Sequence, residues 1–140
     1  MVGVNFAMFQ LIGIYMPNLR AKVPYWEALI AALSAQNAIP ALAIGDFNTC
    51  RPYLDEAGAI DPTAHYMDAI EQIGFHDLWR HRYPERREYS WFSTRRNGFR
   101  IDHAFLSPAL AASAGIIHYS HEERVAGLSD HSPLILELAV

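Results

Sequence analysis

Four short segments hold residue types that together could carry out metal-assisted phosphate chemistry: GDFN at 45–48, SWFS at 90–93, RIDH at 100–103 and SDHSP at 129–133. Asp46 and Asn48 are two residues apart, so an extended backbone points both side chains the same way. A carboxylate beside an amide can position a water, a metal or a phosphate oxygen. Gly, Asp and Asn also make an ordinary strand-end turn, which is the plainer reading of this segment alone. Asp130 and His131 are adjacent: the imidazole can bind phosphate, move a proton or ligate a metal, and the carboxylate is a hard ligand suited to Mg²⁺. Asp102 sits in an otherwise apolar strand and needs a partner to offset its desolvation. Candidates are His131, whose tautomer it would fix, or an arginine such as Arg100 or Arg124. Tyr15 ends the first apolar segment, just before Pro17-Asn18, and its hydroxyl either donates to a phosphate or serves a core. Trp91, Phe92 and Phe99 are either core or a wall for a sugar or base.

The chain's 140 residues suit one domain, and 51% hydrophobic content is enough for a packed core. A net charge of −4 gives no global attraction to a polyanion. Arginine is nevertheless concentrated between 80 and 100, at Arg80, Arg82, Arg86, Arg87, Arg95, Arg96 and Arg100, with only Glu85 and Glu88 among them. That stretch reads either as a phosphate-facing surface or as a solvated loop. Cys50 is alone, so no internal disulfide can form, and a cytoplasmic location fits. The apolar start lacks the basic residues and cleavage site of a signal peptide, and no stretch is long enough to span a bilayer.

The elements that would position these residues follow from periodicity. Val2, Val4, Phe6 and Met8 alternate and 11–15 is apolar throughout, predicting one long strand or a hairpin. Pro24 followed by Trp26, Leu29, Ile30 and Leu33 predicts a helix. Residues 41–44 predict a buried strand. Asp61-Pro62 predicts the start of a second helix, with Tyr66, Ile70 and Ile73 on its inner face and Gly74 at its end. Further strands are expected at 89–92, 101–106, 116–119 and 134–138. Strands interspersed with helices argue for an α/β or α+β domain.

In the order IYMPN, GDFN, SWFS, RIDH, SDHSP, the chain resembles the endonuclease/exonuclease/phosphatase superfamily, most closely its exonuclease III-like members, over residues 14–133. The resemblance implies an α/β fold: the C-terminal portion of a four-layer α/β sandwich, with two mixed sheets flanked by helices. It implies phosphodiester or phosphomonoester cleavage with Mg²⁺ or Mn²⁺, and DNA as the substrate. Asp46 would orient or deprotonate the attacking water, and Asn48 would hold the water or the phosphate. Tyr15 and His131 would contact the phosphate, with Asp102 set against His131. Asp130, with Asp46 and Asn48, would serve the metal. Trp91, Phe99 and Ile101 would border a sugar pocket, and Arg100, with its neighbouring arginines, would add substrate contacts. The family's N-terminal half brings an early asparagine and a glutamate that is the chief metal ligand, and nothing here matches either. Asn5 lies in the strand leading to Tyr15, and Glu27 follows it. His103 stands where nuclease relatives often carry tyrosine. The chain therefore reads as one N-terminally truncated domain over 1–140, with an apolar sheet face to be covered by a second copy or a complementing chain. Two other readings stay open: a phosphoesterase for a small or lipid phosphate, and a catalytically dead binding or assembly remnant.

Overall fold

The computed structural model describes residues 1–35, 39–58 and 61–139. Strands β1 (Val2–Asn5) and β2 (Gln10–Tyr15) form a hairpin, followed by helix α1 (Val23–Ser34) and strand β3 (Ala41–Asp46). Next come α2 (His65–Gln72), β4 (His76–Asp77), α3 (Leu78–Arg82), and the two-residue strands β5 (Trp91–Phe92) and β6 (Gly98–Phe99). The remainder is β7 (Asp102–Leu106), α4 (Pro108–Ser113), β8 (Ala114–Tyr119), α5 (Glu122–Val125) and β9 (Leu134–Leu138).

The main sheet is mixed, in the order β1-β2-β3-β7-β4. Its parallel pair, β2 and β3, is joined through α1, the crossover that parallel strands require. Side-chain alternation gives the sheet two faces. Ile12, Ile14, Ala41, Ala43 and Phe105 turn toward the helices and pack with Trp26, Leu29 and Leu33 of α1 and Met67 and Ile70 of α2. Leu42, Ala104 and Leu106 turn the other way, toward Ile117 and Tyr119 of β8 and Leu134, Leu136 and Leu138 of β9. This is the layered α/β arrangement expected, except that within this chain the second sheet is the antiparallel pair β8–β9. Val2 and Val4 pair in register with Gly13 and Leu11, so they share the β8–β9 side of the sheet, yet they are 71% and 44% exposed.

Two details depart from the sequence reading. Helix α2 begins at His65 rather than at 61–62, because the Asp61 carboxylate folds back to accept from Thr63 N (2.8 Å) and Thr63 Oγ1 (2.6 Å), making a turn. Its buried face centres on Met67 and Ile70, and Ile73 is 37% exposed. Gly74 ends the helix as expected, at φ +94°.

Part of the arginine-rich stretch faces inward. Arg100 is fully buried: its Nε donates to Asp55 Oδ1 (2.8 Å), and Nη1 and Nη2 donate to the two oxygens of Asp77 (3.1 and 2.7 Å). Arg80 Nη2 also reaches Asp55 (2.6 Å), and its Nη1 donates to the carbonyls of Tyr83, Pro84 and Arg86. Arg82 donates to the carbonyls of Ala114 and Gly115. The expectation that Arg100 contacts substrate is thereby corrected, since no part of its guanidinium faces solvent. Only Arg86, Arg87, Arg95 and Arg96 of the stretch are exposed.

Burial alone would push the Asp55 and Asp77 carboxyls up. The Arg100 guanidinium, with His103, outweighs it and holds Asp55 below and Asp77 well below the ordinary carboxylate range. Depressed folded-state values mean that this network's stabilisation is complete above the unfolded value of about 3.9 and is lost as pH falls through the folded values. Replacing one partner leaves a buried charge uncompensated, so Arg100→Leu is expected to lower the unfolding free energy by about 3–5 kcal/mol in a urea titration at neutral pH. A change no larger than that of an exposed arginine would contradict this role.

Candidate active site

Registry across the sheet builds the site. Tyr15 of β2 lies opposite Asp46 of β3, and Asp46 lies opposite Asp102 of β7. Three adjacent strands thus set a hydroxyl and two carboxylates in one row on one face, at the carboxyl ends of the parallel strands, where α/β sheets usually bind ligands. Gly45 lets β2 and β3 approach here: at its φ of +140°, a Cβ would lie 2.1 Å from the Ile14 carbonyl oxygen. Phe47 turns the opposite way, fully buried, with its ring 5.2 Å from Trp26 and 5.3 Å from Phe105, and anchors the loop from below.

Asn48 follows at φ +47°, a left-handed conformation. Its backbone N–H donates to Asp46 Oδ1 (2.8 Å), and its Nδ2 donates to the Met16 carbonyl (2.7 Å) and Asp46 Oδ2 (3.1 Å). Flipping the amide would set its oxygen against two acceptors, so the hydrogen bonds fix the orientation. Both amide protons are engaged, leaving Oδ1, an acceptor suited to a water or a hard cation rather than to a phosphate oxygen.

His131 Nδ1 is 2.8 Å from Asp102 Oδ2. An ionised carboxylate only accepts, so Nδ1 carries the proton and Nε2 remains for another partner. Of the alternatives open in the sequence, Arg100 pairs with Asp55 and Asp77, and Arg124 donates to Ser132 Oγ (2.9 Å). Trp91 Nε1 donates to Asp130 Oδ2 (3.3 Å), tying the SWFS and SDHSP segments together.

A cavity of 390 Å³ opens on Tyr15, Asp46, Asn48, Trp91, Ile101, Asp130 and His131. Asp102 stands behind it against His131. Phe99, with its ring 5.7 Å from that of Trp91, borders an adjoining cavity of 220 Å³ that also touches Trp91, Ile101, Lys22 and Cys50. Of the residues singled out in sequence, Arg100 is buried elsewhere, and Phe92 lines neither cavity but packs against Tyr89 and Arg124. Burial pushes the Asp46 carboxyl above its ordinary value, the Asn48 N–H pulls against that rise, and the neighbouring Asp102 charge adds to it. Burial also pushes the Cys50 thiol up to about 12, which keeps it from acting as a nucleophile.

Among the described residues, no group of three His, Cys, Asp or Glu is placed to hold a metal ion. The donors that face the cavity are hard oxygens, from Asp46, Asp130 and Asn48, and Asp46 and Asp102 are like charges side by side. That set fits a Mg²⁺-type cation, which commonly takes one or two carboxylates and completes its shell with water and substrate phosphate.

Sequence reasoning missed the residues that hold this assembly from behind. Ser90, fully buried, accepts through Oγ from Ile101 N (3.1 Å) and Asp102 N (3.2 Å), while its carbonyl accepts from Ser132 N (2.7 Å). It thereby fixes both the Asp102 strand and the His131 loop. Tyr119 Oη donates to the Asp102 carbonyl (2.6 Å). Neither contact leaves a local signal in sequence. No helix among the described residues is long and apolar enough to cross a membrane.

No family model matches the chain. Over 160 residues it is 26% identical to Recombination repair protein 1 of Drosophila melanogaster, an alignment covering 97% of this chain and 23% of that protein. It superposes on an AP endonuclease from Archaeoglobus fulgidus with a TM-score of 0.84 at 22% identity. The 3′ phosphatase NExo from Neisseria, bound to a product DNA hairpin, gives 0.83 at 23%, and the 3′–5′ exonuclease NExo from Neisseria meningitidis gives 0.77 at 25%. Each superposition covers 99% of this chain and 64% of the solved chain. The fold is thus that of exonuclease III-like enzymes, which the chain resembles along nearly its whole length.

The site geometry is tested by ¹⁵N spectra of the His131 ring. At a pH where the ring is neutral, the proton is expected on Nδ1, and Asp102→Ala is expected to release it to Nε2. A proton already on Nε2 in the unsubstituted chain would contradict the pairing.

Proposed function

We propose that this chain carries a divalent-metal-dependent phosphodiesterase site that acts on DNA, as an abasic-site endonuclease or 3′ exonuclease of the exonuclease III type. The observation that carries this reading is the cross-strand row Tyr15, Asp46 and Asp102, joined by His131 at one cavity. Asp46 takes a proton from the attacking water; burial makes it a stronger base than an exposed aspartate, and two hydrogen bonds from Asn48 hold it still. Asn48 Oδ1 orients that water or the cation. Tyr15 Oη donates to a phosphate oxygen, and the imidazolium form of His131, its Nδ1–H held by Asp102, donates through Nε2 to another as negative charge builds. Mg²⁺ or Mn²⁺, held by Asp46 and Asp130 with Asn48, would neutralise charge on the phosphate. Trp91 and Phe99 offer aromatic faces to a sugar or base. The DNA-processing relatives support the substrate class.

A second reading has one observation in its favour. With no group of three His, Cys, Asp or Glu among the described residues, the site could bind a phosphate without turning it over.

Abasic or 3′-ended duplex DNA is expected to be cleaved in Mg²⁺ and spared when a chelator is added. Asp46→Ala is expected to lower the rate by roughly a hundredfold to ten-thousandfold. Cleavage that survives the chelator or Asp46→Ala would overturn the assignment, and metal-independent DNA binding without cleavage would establish the second reading.

A further inference from the structure

Asn48 sits in the left-handed region, which asparagine enters more readily than other non-glycine residues, and three contacts hold it there. Asp46 and the Met16 carbonyl hold its N–H and its side chain. The third handle is its carbonyl, which accepts from Lys22 Nζ. Lys22 is the chain's only lysine and is 3% exposed, an unusual setting for a flexible, strongly hydrated side chain. It lines the 220 Å³ cavity beside the phosphate-facing one, and so reaches Asn48 from behind.

The ammonium is itself fixed. Asp61 Oδ2 accepts from it at 2.9 Å, and the other Asp61 oxygen is held by Thr63 N and Oγ1. Thr63 Oγ1 lies 3.3 Å from Thr49 Oγ1, which accepts from the buried Trp26 indole N–H at 3.1 Å. Thr63 thus holds Asp61, and Asp61 holds Lys22 on the Asn48 carbonyl. A shorter or neutral side chain at 22 would free that carbonyl and the left-handed turn with it.

We propose that Lys22, locked by Asp61, is a positioning residue for Asn48, setting the direction of its side-chain oxygen toward the water or cation; this rests on the role proposed for Asn48 above. Lys22 touches no reacting atom in this account. The test uses Lys22→Met and the double variant Lys22→Met/Asp61→Leu, which leaves no buried charge unpaired and so keeps the fold if the single variant does not. Asn48 backbone and side-chain amide signals in ¹H–¹⁵N spectra are expected to move in both variants, while the His131 ring signals stay in place. Against abasic DNA, kcat should fall by up to about a hundredfold with little change in KM. Adding Lys22→Met to Asn48→Ala should cost no more than Asn48→Ala alone, because Lys22 acts only through that residue. Unmoved Asn48 signals, or losses that multiply in the combined variant, would overturn the proposal. If the unsubstituted chain cleaves no DNA, the assigned activity fails instead, and the spectra still decide the role of Lys22.

Discussion

Arg100 lies wholly inside the protein, and its three side-chain nitrogens end on the carboxylates of Asp55 and Asp77. Dehydrating a guanidinium and two carboxylates costs several kcal/mol per ion, and only close hydrogen-bonded geometry offsets it. Here the geometry is bidentate toward Asp77 and shared toward Asp55, with Arg80 and Arg51 adding further donors. The cluster ties together the loop after β3, the start of α3 and the entry to β7. With residue 100 anchored there, Asp102, two positions on, lies on the face that its strand turns toward the β8–β9 layer, alongside Ala104 and Leu106. The backbone is clamped on the same side: Arg100 N donates to the Asp55 carbonyl, and Phe47 N donates to the Ile101 carbonyl, both at 2.9 Å. The row of Tyr15, Asp46 and Asp102 therefore rests on a salt-bridge network buried beneath it.

Above that network the sheet sets two carboxylates, Asp46 and Asp102, directly opposite each other. Like charges so placed repel, and burial of Asp46 sharpens the conflict. Asp102 finds relief in His131 and Asp46 in the amide of Asn48, which leaves Asp46 favouring a proton or a cation. The same crowding that weakens Asp46 as an acid strengthens it as a base. Ser90 joins the two halves of this arrangement, since one hydroxyl holds the Asp102 strand and the same residue's carbonyl holds the His131 loop.

Much of this was legible in the residues. The apolar runs at 11–15 and 101–106 and the glycine before Asp46 located three strands whose ends carry the site, and Pro24 with Trp26, Leu29 and Leu33 located α1. The Asp102–His131 contact was one of two open pairings, and it joins residues 29 apart in sequence that periodicity alone could not match. The arginines between 80 and 100 read either as phosphate-facing or as a solvated loop, because composition gives no direction, and Arg100 is neither. Asp55 and Asp77, which turn Arg100 inward, lie 45 and 23 residues away. Asn48 was expected to offer either water or phosphate a partner. Only the structure shows that Met16 and Asp46 consume both its donors. Ser90 and Lys22 escaped notice because each works through backbone carbonyls and amides, which carry no residue-type signature.

The central claim is that the cavity at the ends of β2, β3 and β7 receives a DNA phosphate. Titrating the ¹⁵N-labelled chain with a short duplex that bears an abasic analogue, in Mg²⁺, tests it most directly. Saturable shifts are expected at Asn48, the Trp91 indole and the His131 ring, with inorganic phosphate competing at the same signals. Shifts that instead map to the exposed Val2 and Val4 side of β1, with these three groups unmoved, would contradict it.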